Sequence, residues 1–140
     1  MEHFFVLNSE NKTGISDGFL GNVFFYQKSK DELIATTQLS LIEKLIVNGL
    51  KLELENVLIV DINEQKIRLN QLQKITKIEC CILFGDIESE IGLNFTLKKY
   101  HIQLINNVQF LKADIAEILD KNAALKTKFW NELKKLFKIE

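Results

Sequence analysis

Two runs of apolar residues constrain this chain more than anything else in it. "NVLIVDI" (56–62) and "CCILFG" (80–85) are almost unbroken in hydrophobic side chains and are bounded by polar residues. A strand with one wet face alternates apolar and polar positions. A continuous run needs apolar cover on both faces, which a parallel sheet sandwiched by helices supplies. Between the runs lies a short amphipathic piece, "RLNQLQKI" (68–75). Strand, helix, strand at this spacing is a βαβ unit, and its crossover should be right-handed.

The remaining pattern extends that unit. "NVFFYQ" (22–27) is rich in β-branched and aromatic residues and predicts a first strand. In "TTQLSLIEKLIVNGLKL" (36–52), Leu41, Ile42, Leu45 and Ile46 share one helical face. Thr36 or Thr37 is the expected cap, and Asn48-Gly49 the expected end, with glycine left-handed. "YHIQLINNVQFLKA" (100–113) reads as a hairpin turning at Asn106-Asn107, because asparagine tolerates the positive φ of a tight turn. Asp114 with Glu117 three residues on forms a capping-box pattern for a short helix, and Asn122 can cap the final one.

That final helix, "KNAALKTKFWNELKKLF" (121–137), carries the chain's single tryptophan. Leu125, Phe129, Leu133 and Leu136 form an apolar stripe widened by Trp130 and Phe137, a face suited to packing on the sheet. Lys126, Lys128, Lys134 and Lys135 lie mostly off the stripe and are a candidate patch for an anionic partner. Their plainer role is to complement the negative end of the helix dipole. The expected architecture is α/β, a three-layer α/β/α arrangement with a mostly parallel central sheet and a C-terminal hairpin plus helix. With 140 residues and no proline, one domain over 22–140 is expected. A flexible segment, 1–21, precedes it and carries Gly14, Gly18 and Gly21.

Chemistry is harder to find. A net charge of −1 gives no general attraction to nucleic acid or anionic lipid. No apolar stretch approaches the ~20 residues needed to span a membrane, and no secretory leader is recognisable, so a cytoplasmic protein is expected. Cys80 and Cys81 are adjacent, point to opposite faces of a strand and suit reduced, buried thiols. His3 and His101 lie far from them and from each other, which leaves no zinc-ligand spacing and no implied cofactor. The glycines of "GISDGFLGN" lack the Lys-Ser/Thr of a phosphate loop and the strand-to-helix setting of a dinucleotide fingerprint.

Two carboxylates remain as catalytic candidates. Asp61 and Asp86 should both sit at C-terminal strand ends, the edge where open α/β sheets bind ligands. Together they could serve a small enzyme or a nucleotide or metal binder. Alternatively, each simply meets solvent or caps the next turn. At the head of the chain, Phe4, Phe5, Val6 and Leu7 form a short apolar segment. It suits either an edge strand or a linear peptide docking on a partner.

Taken in order, the helix "LIEKLIVNGLKL", the strands "NVLIVDI" and "CILFG", the hairpin and the ending "EILDKNAALKTKFWNELKKLF" resemble the psi subunit of bacterial DNA polymerase III. The resemblance spans roughly Thr37 to Phe137. It implies a three-layer α/β/α domain without catalytic activity, working as an accessory of the clamp loader. By that likeness Phe4 to Leu7 would dock on the loader's collar. The globular body would bind a chi-like subunit, which in turn contacts single-stranded DNA-binding protein, so contact with nucleic acid would be indirect. The related uracil-DNA glycosylases use a Gly-Gln-Asp-Pro-Tyr loop, which a chain without proline cannot contain.

Overall fold

The computed structural model describes residues 18–139; the apolar head Phe4 to Leu7 lies outside them. Five strands form one sheet in the order β2-β1-β3-β5-β4. These are β1 (Asn22–Tyr26), β2 (Val57–Asp61), β3 (Cys80–Phe84), β4 (Gln103–Ile105) and β5 (Val108–Ala113). The first three and β5 run parallel, and β4 closes one edge antiparallel to β5. Every residue of β1, β2 and β3 is buried, as the continuous apolar runs require.

Alternate residues feed two cores. Phe24, Ile59, Ile82 and Leu111 face a layer of three helices: α1 (Glu32–Lys44), α3 (Ala116–Lys121) and α4 (Ala123–Phe137). Val23, Phe25, Leu58, Val60, Cys81 and Leu83 face the other way. Their cover is thinner: the short helix α2 (Leu69–Gln73), a 3-10 turn at Ser89–Ile91, and loop residues such as Ile67, Ile78 and Leu97. The molecule is thus α/β with three layers, one built of helices and one largely of loops.

Several local expectations change. α1 begins at Glu32, earlier than Thr36 or Thr37, because Asp31 accepts hydrogen bonds from the N–H groups of Leu33 and Ile34. Both threonines instead lie inside the helix and donate their hydroxyls back to carbonyls four residues earlier. Gly49 does not take the left-handed conformation; Lys51 does, at φ 59°. The helix ends in a π-helical turn, Leu45–Gly49, with the Leu50 N–H donating to the Leu45 carbonyl. The hairpin turns as expected, with Asn106 at φ 52° and Asn107 at φ 68°, the paired positive angles of a type I′ turn. Asp114 and Glu117 do not form a capping box. Asp114 instead binds Lys99 and Tyr100, and Glu117 accepts from Gln38 of α1. Asn122 caps α4 by accepting from the Leu125 N–H. Residues 18–21 belong to the body rather than to a loose segment, since Asn56 donates to the Gly18 carbonyl and Gly21 accepts from Glu79 and Cys80.

Candidate functional site

The last helix packs on the sheet as its stripe predicts. Phe129, Leu133 and Leu136 are buried, and the Phe129 ring meets Phe84 of the central strand edge-on at 5.6 Å. Removing such a ring costs about 3–5 kcal/mol. Trp130 is only half buried. It stands at the side of a groove of about 440 Å³ between α1 and α4, with Phe84 and Leu119 among its lining residues. Leu41, Ile42, Leu45 and Phe129 give its walls an apolar character, and Lys44 and Lys126 stand among them. Gly49 adjoins this ring, and a side chain there would come within 3.2 Å of it, so the indole would have to give by a few tenths of an ångström.

The four candidate lysines line two different depressions. Lys126 belongs to this groove and lies 3.7 Å from Asp120. Lys128, Lys134 and Lys135 border a separate shallow depression. Within it, Lys128 sits 5.4 Å above the Tyr100 ring and Lys135 pairs with Glu132.

Asp61 is the last residue of β2 and Asp86 lies just past β3, at C-terminal strand ends as expected, but they do not converge. β1 runs between their strands, a separation of two strand spacings, about 10 Å. Asp61 shares the α1 face with Ile59, whereas the ion partner of Asp86 lies on the opposite face. That partner is Lys112, a lysine in β5 with only 3% of its side chain exposed. Its ammonium sits 2.7 Å from Asp86 and 2.6 Å from Glu88. Burial lowers the Lys112 pKa, but the hydrogen bonds to Asp86 and Glu88 outweigh it and hold it above the ordinary lysine value. Burial likewise raises Glu88, yet bonds from Lys112 and from the Leu97 N–H bring it below the ordinary glutamate value. Asp86 is depressed chiefly by its hydrogen bond with Lys112.

Beside this knot, Tyr100 is held at φ 63°, an unusual conformation for an aromatic residue, and its hydroxyl donates to Asp114 at 2.5 Å. Burial and then Asp114 push the Tyr100 phenol up to about 12. Lys99 and Tyr100 hold Asp114 below the usual carboxylate range. Lys112 and Tyr100 were not singled out from the sequence. The available signal was a charge within the apolar "FLKA" of a strand that must be buried.

Asp61 is tied differently. Its Oδ1 accepts from the backbone N–H groups of Lys28 and Asn63, each at 3.0 Å, while its Oδ2 is buried with no hydrogen-bond partner among the described residues. His101 is exposed, and His3 lies outside the described residues. Cys80 and Cys81 are free and buried. Burial pushes the Cys80 thiol up to about 12 and Cys81 well above its ordinary value. No group of three or more His, Cys, Asp or Glu able to hold a metal ion occurs among the described residues, and no described helix is long and apolar enough to cross a membrane. No protein-family model matches the chain, and no curated protein matches it.

Proposed function

We propose that this protein is a non-catalytic adaptor whose body grips an apolar peptide or helix of another protein, in the manner of the psi subunit it resembles. The observation that carries the reading is the groove between α1 and α4, apolar in its walls and edged by half-buried Trp130. Tryptophan is among the residue types most enriched in binding hot spots, and here it stands half-buried beside an apolar groove. Lys44 and Lys126 favour a partner segment with acidic flanks. In the replisome role the groove would serve a chi-like subunit, and Phe4 to Leu7 would serve the clamp loader. Strand-end chemistry receives less support, since Asp86 is committed to Lys112 and lies apart from Asp61.

Affinity purification with clamp-loader and chi-like subunits tests this. The intact chain should enrich both. Removing residues 1–17 should release the loader alone, and Trp130→Ala should release the chi-like partner while circular dichroism stays unchanged. Failure of the intact chain to enrich any replication subunit would remove the replisome role. Undiminished capture by a folded Trp130→Ala variant would remove the groove from it.

A further inference from the structure

The charged residues lining the groove between α1 and α4 are Lys44 and Lys126, with no acidic side chain among the described lining residues. The head of the chain has the opposite make-up. Phe4, Phe5, Val6 and Leu7 stand between Glu2 and Glu10, and residues 1–10 contain no lysine or arginine. Bulky apolar side chains with a carboxylate on either flank are what an apolar groove edged by two ammonium groups selects. At about 440 Å³ the groove falls in the size range of sites that enclose a small apolar ligand, room for a pair of such side chains.

The chain also enters the body close to this groove. The Asn56 amide donates to the Gly18 carbonyl, and the Leu20 N–H donates to the Asn56 carbonyl, each at 3.0 Å. Asn56 is seven residues from Gly49 in the groove wall, so the two lie no more than about 25 Å apart. Both stand at the edge of the sheet where β1 and β2 begin, because α1 carries the chain back there between two parallel strands. Leu7 is eleven residues before Gly18, a reach of about 36 Å when extended. The head can therefore lie in the groove of its own molecule. A tether of that length sets an effective concentration on the order of millimolar, so a contact too weak to hold a free peptide still closes the groove. Of the other exposed apolar residues, Leu33, Ile34, Ile115 and Ile118 share the opposite edge of the sheet, where α1 and α3 begin. Asp31, Glu32 and Glu117 belong to the same two helix starts and would repel Glu2 and Glu10.

We propose that Phe4 to Leu7 fold back into the α1–α4 groove of the same chain, with Glu2 and Glu10 answering Lys44 and Lys126, so that the head masks the surface that grips a partner. The masking rests on the reading of that groove as a site for apolar segments, and not on the replisome role. A partner gains the groove only by displacing the head, and its apparent affinity falls by the closed fraction. Whatever draws the head elsewhere opens the groove.

Trp130 is the single tryptophan and lines the groove, so its fluorescence in the full chain reads this state directly. Phe4→Ser with Phe5→Ser should raise its acrylamide quenching constant about twofold or more, as passage from a mostly closed to a mostly open population requires. Amide shifts between this variant and wild type should centre on Lys44, Leu45, Gly49 and Thr127, with circular dichroism unchanged. Glu2→Lys with Glu10→Lys should open the groove likewise, and adding Lys44→Glu with Lys126→Glu should close it again. Quenching and groove shifts unchanged in the Phe4, Phe5 variant overturn the proposal, as does failure of the paired charge reversal to restore closure. A wild-type quenching constant that rises on dilution assigns the groove to the head of a second copy and overturns the intramolecular form. If the fourfold variant does not fold, sodium chloride replaces it: wild-type quenching should rise with salt, that of Glu2→Gln with Glu10→Gln should not, and a salt-independent wild type is equally fatal. None of these readouts involves a replication subunit, so failure of the masking and failure of the replisome role are seen separately.

Discussion

Asp61 and Glu88 are buried to nearly the same degree, 8% and 7% exposed; Asp61 is the last residue of β2 and Glu88 lies in the loop after β3. Their surroundings differ. Glu88 receives the Lys112 ammonium and the Leu97 N–H, so its charge is answered. Asp61 receives two backbone N–H groups on one oxygen and nothing on the other. Burial alone therefore says little about purpose. A charge paired with a buried cation holds loops and strands together, here tying the 86–97 loop to β5.

The sharpest way to break that contrast is Lys112→Met, which leaves Glu88 buried without its cation. Denaturant unfolding should show a loss of about 3–5 kcal/mol. Glu88→Gln should cost less, about 1–3 kcal/mol, because the amide still accepts from Leu97 and Lys112 keeps Asp86. The pH dependence sharpens the same point. Glu88 is depressed in the folded protein, so its contribution is present above the ordinary glutamate range and is lost as pH falls through the lower folded value. Lys112 is raised, so its contribution is complete below the ordinary lysine value and is lost as pH climbs through the higher folded one. The stabilisation by this pair should therefore fill the window from about pH 5 to 10 and fade on both sides. Thermal melts across that range should show the gap between wild type and Lys112→Met closing in acid. The smallest effect belongs to Asp61→Asn, within about 1 kcal/mol, since the amide oxygen can still accept from Lys28 and Asn63. A large loss there would make Asp61 as structural as Glu88.

What could be read from the residues followed how local each cause is. The sheet was readable because unbroken apolar runs admit few other uses, and Asn106-Asn107 because a turn's chemistry sits in the turn. The α4 stripe was readable for the same reason. Asp31 is hard to read as a cap because α1 opens on Leu33 and Ile34, which are both exposed and break the helical stripe. Asp114 and Glu117 matched a local capping pattern, but Tyr100 and Lys99 on one side and Gln38 on the other claimed them. Gln38 comes from 79 residues away, and no pattern in a short window contains such a partner. The orphan oxygen of Asp61 is equally invisible in one dimension, since it is defined by which donors fail to arrive.

The paired thiols of the central strand have a practical consequence. Cys80 donates to Asn22 and Cys81 is fully enclosed, with both kept protonated. Reagents such as disulfide dyes can attack them only after β3 is stripped of its neighbours on both sides. Labelling rates at these two sulfurs thus time the opening of the entire sheet, and a cysteine engineered onto the surface could carry a fluorophore without competition from the native pair.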